Sequence, residues 1–443
     1  MIPRLDDPDL YAAILARLAK RWAARGRIDS LSIDGLTLAD LRCRRQQLAK
    51  LLAKTVVAGA YRFSALTACE ALIDGKPRTL YRANLLDRVV QTAVARYLAA
   101  VSEAQLLPVL HSYRKGRSPF TAIESLIRYL RRHRSDVPLE QRGIFVLRLD
   151  IKRYGENIDT GRSSPLWSLI DNVLESDSDA RHRRIARDML SATIRQPIDG
   201  QDGTSQPLAR GIPTGSPIQT PCANLYLLPV DAYCSSIEGA FYARFGDDIL
   251  FGHADLAVVS RVSRELEARL IDLGLTVNAE KRVKLDFNGA GRRRTSDAAF
   301  RPCQRLTYLG ASIDFHGYVT LKPEKLRDLV RSLRERVRQA SRMLAGADAD
   351  ERADALCEML QSALSPSDIN AVPMAEFLHS RASCRAELRD LDFRIALLVA
   401  EALTGRRGPR AFRKLSYRAL RQRGLPSLAM ARDRHRTVRV QSS

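Results

Sequence analysis

The sequence predicts an α+β fold, with short antiparallel strands near its centre and helices before and after them. Phe241-Tyr242-Ala243 and Ile249-Leu250-Phe251 are apolar runs flanking Gly246-Asp247, a turn signal, so they read as two strands joined by a tight turn. Ile144-Phe145-Val146-Leu147-Arg148-Leu149-Asp150-Ile151 is another short apolar run between polar segments, the pattern of a buried strand. Around them, apolar residues recur at helical spacing, as in Val262, Leu266, Leu270 and Leu273, or Leu326, Leu329, Val330, Leu333, Val337, Ala340 and Leu344.

The strands carry the chemistry. Asp247 and Asp248 are adjacent carboxylates at the tip of the predicted turn, and two like charges side by side repel. A divalent cation held by their oxygens would offset that repulsion; a solvated Asp-Asp turn is the bland alternative. Strand alternation sets Val146, Arg148 and Asp150 on one face and Phe145, Leu147 and Leu149 on the other. Placed beside the turn, Asp150 would complete a three-carboxylate cluster able to hold two magnesium ions. Two such ions, about 4 Å apart, activate a hydroxyl nucleophile and stabilise the leaving oxygen of an in-line phosphoryl displacement.

In chain order, the 443 residues suit roughly two to four structural units. Lys and Arg number 72 against 50 Asp and Glu, a net charge of +22, which favours a polyanionic partner without telling nucleic acid from an anionic surface. No run of about 18 apolar residues appears, so no membrane span is expected. The first residues do not read as a signal peptide. The seven cysteines are scattered with no Cys-x-x-Cys pair, which argues for a reducing cytoplasm and against a zinc module. Residues 1–65 read as a helical N-terminal extension, either RNA-binding or a brace with a solvated basic face. Residues 288–299, rich in Gly and Arg, read as a loop. The stripe from Leu326 leaves Arg327, Arg331, Arg334, Arg336, Arg338 and Arg342 on the other faces, suited to a duplex backbone or simply solvated. Residues 405–443 hold twelve Arg or Lys and one acid, Asp433, which is half the net charge. Such a block is often disordered when free and binds nucleic acid or a partner.

Several segments, taken together and in order, resemble the motifs of bacterial reverse transcriptases, the family of group II intron, retron and phage-defence enzymes. Phe245-Gly246-Asp247-Asp248 matches the aromatic-x-Asp-Asp turn and Leu149-Asp150-Ile151-Lys152 the strand of the first metal ligand. Gly211-Ile212-Pro213-Thr214-Gly215-Ser216-Pro217, followed by Ala223-Asn224-Leu225-Tyr226-Leu227, matches the loop and helix backing the nucleotide pocket. The likeness runs from roughly residue 76 to residue 320. It implies a right-hand polymerase fold: fingers at 66–145, a palm with an antiparallel sheet at 146–320, a helical thumb at 321–404, and the basic segment 405–443 beyond.

The resemblance also implies roles. Asp150 and Asp247 would hold two Mg2+ ions, with Asp248 supporting and the Ile151 carbonyl as a further ligand. Lys76 and Arg78 match triphosphate-binding positions, and Arg offers a planar fork to phosphate. Tyr154, Gly155, Thr214 and Gly215 fall at nucleotide-binding positions. Gly155 stands where relatives carry an aromatic that excludes a 2′-hydroxyl, and Thr214 where they commonly carry Gln. Arg114 and Arg117, in a shortened motif around Gly116, match template contacts. Tyr308-Leu309-Gly310 matches the turn under the primer end. Lys281, in Gly274-Leu275-Thr276-Val277-Asn278-Ala279-Glu280-Lys281, is a general-acid candidate for pyrophosphate departure, or a phosphate-facing surface lysine.

The implied function is RNA-directed DNA synthesis from deoxynucleoside triphosphates on an RNA template, with DNA as product and no membrane partner. The absence of zinc-nuclease and retron signatures favours a stand-alone enzyme of the anti-phage defence kind. A dedicated non-coding RNA, a partner protein and an oligomer stay open. So do two other readings: a polymerase of this fold with unusual template, sugar or primer use (RNA synthesis, template-independent or protein-primed addition), and a non-catalytic RNA-binding scaffold.

Overall fold

The computed structural model describes residues 2–24, 32–73, 75–138, 142–200, 204–366, 368, 371–372 and 374–431. In order, the chain forms α1 (Pro8–Ala24), α2 (Leu38–Cys43), α3 (Arg45–Val57), β1 (Thr67–Ile73), β2 (Lys76–Arg82), α4 (Leu85–Ser102), α5 (Pro119–Asp136), β3 (Ile144–Asp150) and α6 (Tyr154–Asn157). Next come α7 (Pro165–Leu174), α8 (Ala180–Ile194), β4 (Ile198–Asp199), β5 (Ser205–Gln206), α9 (Gln219–Tyr226), α10 (Leu228–Ser235), β6 (Phe241–Phe245), β7 (Asp248–His253) and α11 (Leu256–Asp272). The remainder is β8 (Val283–Phe287), β9 (Arg301–Cys303), β10 (Arg305–Tyr308), β11 (Ala311–Asp314), β12 (Val319–Leu321), α12 (Pro323–Met343), α13 (Ala349–Leu364), α14 (Ala375–Ser380), α15 (Arg385–Thr404) and α16 (Tyr417–Gln422). The chain divides into two units, one of residues 1–126 and 144–285, the other of residues 127–143 and 286–443. Among the described residues, no helix is long and apolar enough to cross a membrane.

In the first unit, neighbouring strands of the main sheet run β6-β7-β3-β8. β3 and β7 are antiparallel, with Leu147 opposite Phe251, Leu149 opposite Ile249 and Asp150 opposite Asp248. Both faces of β3 are buried as far as Leu147, and only Arg148 and Asp150 are half-buried, so polarity is confined to the strand's last turn. Val262, Leu266 and Leu270 on α11 are buried, as helical spacing predicts, whereas Leu273 caps the helix and is half-buried.

The helices of this unit are pinned by buried polar groups. Asp87 on α4 accepts hydrogen bonds from the Tyr61 hydroxyl (2.7 Å) and the Ser64 amide (2.9 Å). The Leu5 amide donates to His182 Nε2 at 2.9 Å, so the ring proton sits on Nδ1 and is donated to Asp177 at 2.6 Å. The Tyr97 hydroxyl donates to the same carboxylate at 3.0 Å. Each buried polar atom is thereby satisfied, which makes these links specific rather than merely sticky.

In the second unit, Leu329, Leu333 and Val337 of α12 are buried, while Arg327, Arg331, Arg334, Arg338 and Arg342 stay exposed. β10, β11 and β12 form an antiparallel sheet, and Leu309 (φ 46°) and Gly310 (φ 84°) make the β10–β11 turn. The basic C-terminal segment departs from expectation. Over residues 405–431 it is folded, with Leu420, Leu425 and Leu428 buried. Asp392 on α15 accepts from the Ser427 hydroxyl (2.7 Å) and the Leu428 amide (2.8 Å). Its arginines are spaced by enough apolar residues to build a core contact, which net charge alone conceals. Residues 432–443 of that segment lie outside the described residues.

Candidate active site

The acids meet where the fold makes them meet. Register sets Asp150 opposite Asp248, and the turn between β6 and β7 carries Asp247, whose carbonyl accepts from the Ile151 amide at 3.3 Å. Gly246 has φ 65°, the left-handed conformation that this turn requires and glycine adopts without cost. The turn is held from behind by Arg244, fully buried on β6. Its guanidinium donates to both oxygens of Asp231 (2.7 and 2.6 Å), to the Asn224 carbonyl (3.0 Å) and to the Gly246 carbonyl (3.2 Å). Burial opposes its charge, but the Asp231 carboxylate more than compensates and holds Arg244 above its ordinary pKa. Asn224 in turn exchanges hydrogen bonds with Ser112, both at 3.0 Å.

Each acid has a different neighbour. Lys281 Nζ donates to Asp150 Oδ2 at 2.8 Å, and the Asn278 amide donates to the Asp150 carbonyl at 2.7 Å. Arg148 grips Asp248 in a fork, with contacts of 2.9 and 2.5 Å. Burial, and the charges of Asp150 and Asp248, push the Asp247 carboxyl above the usual carboxylate range. The arrangement is thus narrower than a three-carboxylate cluster. Among the described residues no group of three or more His, Cys, Asp or Glu side chains is set to hold a metal ion, and the Asp248 carboxylate is turned to Arg148. Asp150 and Asp247 still suit a divalent cation. One already draws an ammonium group, and the other lies in a site where negative charge is in excess.

These residues open onto a cleft of about 660 Å³, lined also by Arg78, Tyr154, Gly155, Thr214, Gln219 and Asn278. Arg78 is exposed on β2, so it is accessible to a ligand. The side chain of Lys76 lies outside the described residues. Thr214 reaches the cleft while its carbonyl accepts from the Tyr81 amide at 2.9 Å. Gly215, at φ 101°, presents its carbonyl to Arg88. Arg153 is left-handed (φ 47°) and turns the chain out of β3 into α6. Tyr154 therefore does not alternate with Gly155 across a strand. Its ring is buried and its hydroxyl donates to the Ala223 carbonyl at 2.5 Å.

One sequence-derived expectation changes. Arg114, expected to face template phosphate, has a side chain only 7% exposed. Its guanidinium bonds Glu103 at 2.6 Å and the carbonyls of Leu107 (2.7 Å) and Leu110 (3.2 Å), so it braces a loop. Arg117 is half-buried, next to the exposed Lys115. Tyr308, Leu309 and Gly310 belong to the second unit, where Tyr308 is buried and the other two form the hairpin turn. Sequence reading also missed residues that the fold brings in: Arg148, Asp231, Asn278 and Gln219. Alternation had already set Arg148 on the face of Asp150, and this was the available signal.

No protein-family model matches the chain, and a comparison with curated proteins finds no match. Solved structures similar to it include a C-terminally truncated apo telomerase from Candida tropicalis, at 13% identity and TM-score 0.44. That likeness covers 59% of this chain, which spans only 55% of the telomerase. Apo telomerase from the same organism is similar at 10% identity and TM-score 0.47, over 93% of this chain and 86% of the other. The RNA-dependent RNA polymerase of a human picobirnavirus is similar at 11% identity and TM-score 0.40, over 83% and 61%.

Proposed function

We propose that this chain is a nucleic-acid polymerase of the reverse-transcriptase kind, extending DNA on an RNA template. The observation that carries the reading is the meeting of Asp150 and Asp247 at one cleft with Arg78 and Lys281: acids for cations beside cations for phosphate. In this reading residues 66–145 act as fingers, 146–320 as palm and 321–404 as thumb. A primer 3′-hydroxyl attacks the α-phosphate of a nucleoside triphosphate, the new phosphodiester bond forms, and pyrophosphate leaves. Magnesium held by Asp150, Asp247 and the Ile151 carbonyl would lower the pKa of the attacking hydroxyl and neutralise charge on the leaving oxygen. Arg78 binds the polyphosphate, because a planar guanidinium matches two phosphate oxygens. Lys281, whose ammonium group donates to Asp150, would give its proton to the departing pyrophosphate. The net charge of +22 draws the nucleic-acid backbone. A stand-alone, defence-type role is the setting that the sequence favours.

The test is extension of a primed RNA template by the full chain with magnesium and deoxynucleotides, with the product sequenced. Templated DNA supports the reading. A chain that binds RNA tightly and extends nothing on RNA or DNA templates overturns it in favour of a scaffold.

A further inference from the structure

The space beside Gly155 is occupied by the end of another side chain. A Cβ built there would lie 2.2 Å from Gln219 Nε2 and 3.1 Å from its Cδ. Gln219 is the first residue of α9, and its side chain crosses to the turn of α6 inside the cleft. Its amide is loosely held: Nε2 lies 3.4 Å from the Ile212 carbonyl, at the long limit of a hydrogen bond. The neighbouring Tyr154 is tied to the Ala223 carbonyl through its hydroxyl.

Resting on the polymerase reading above, we propose that Gln219 selects the sugar of the incoming nucleotide and admits ribonucleotides beside deoxynucleotides. The geometry gives the reason. If the triphosphate lies between the acids and Arg78, the sugar, joined to the α-phosphate through O5′ and C5′, falls among the cleft residues next to Asp150. Gly155 and Gln219 stand there, five residues beyond Asp150 in chain and on the facing helix. A rigid ring in that space would reject a 2′-hydroxyl by collision. A primary amide on a flexible stem can move aside, and it offers both a donor and an acceptor to a hydroxyl. The amide therefore favours the hydroxyl that a ring would exclude.

The experiment compares incorporation efficiencies of matched deoxy- and ribonucleoside triphosphates on one primed template. The wild-type ratio is expected within about tenfold. Gln219→Met keeps the length and removes the hydrogen-bonding groups, and should move the ratio toward deoxynucleotides by about three- to tenfold. Gly155→Ala, which pushes on the amide, should move it the same way. Gly155→Phe combined with Gln219→Ser puts a ring into the vacated room and should reject ribonucleotides by about a hundredfold. A wild-type preference for deoxynucleotides beyond about tenfold overturns the proposal, as does a Gln219→Met ratio equal to wild type. No product from either nucleotide sinks the polymerase reading itself, and this proposal with it.

Discussion

Two arginine–aspartate pairs flank the same turn and do opposite things. Arg244 and Asp231 are both 0% exposed, and every guanidinium nitrogen has a protein partner. Arg148 and Asp248 are 26% and 14% exposed and stand at the end of the sheet near the acids. The first pair is a fixed frame. Opening it would strand a buried charge, so it holds the turn in one shape. The second is partly solvated, so its carboxylate can exchange an arginine for another cation at modest cost. The difference separates a pair that is sealed behind the turn from a pair that stays partly open to solvent beside it.

The sharpest way to break this division is Asp247→Asn. Asn keeps the volume and loses the charge, so synthesis should fall by about a thousandfold or more in primer extension. The fold should survive, because burial and neighbouring charge already disfavour ionised Asp247. An unfolded variant would place Asp247 in the frame instead.

Asp231→Leu attacks the frame. It leaves the Arg244 charge buried without its partner, and should cost about 3–5 kcal/mol in denaturant unfolding. A loss below about 1 kcal/mol would show that water reaches Arg244 and that the two pairs are alike.

Arg148→Met is the matching change at the other pair. The loss of stability should be about 1 kcal/mol or less. Freeing the Asp248 carboxylate and removing a nearby positive charge should tighten manganese binding severalfold in a direct titration with no substrate present. Weaker binding would assign Arg148 to holding the acids in place.

The smallest expected effect is at the C-terminus. Removing residues 432–443 takes away four arginines and Asp433, and should flatten the salt dependence of RNA binding with no shift in melting temperature. Removing residues 405–443 also takes away Leu420, Leu425 and Leu428, and should destabilise the second unit. Equal melting temperatures for the two truncations would contradict the packing of that segment.

The sequence by itself determined what depends on local pattern. Short apolar runs marked the strands around Asp150 and Asp247, helical spacing marked α11 and α12, and Gly246 marked the turn. These are short-range consequences of backbone geometry, readable wherever a side-chain period meets a burial requirement. Tertiary structure alone decided which charges meet. Arg114 bonds Glu103 and two carbonyls of a loop that curls back on it, so a basic motif became a brace. Arg244 found Asp231 across thirteen residues, and Arg148 found Asp248 across a hundred. Gln219 fills the room beside Gly155 because α9 crosses α6, a distance of 64 residues in sequence. A single chain's pattern reports the period of each element, but an ion pair or a filled space depends on two elements' positions at once. Those positions are fixed by packing, and packing is decided by the whole core.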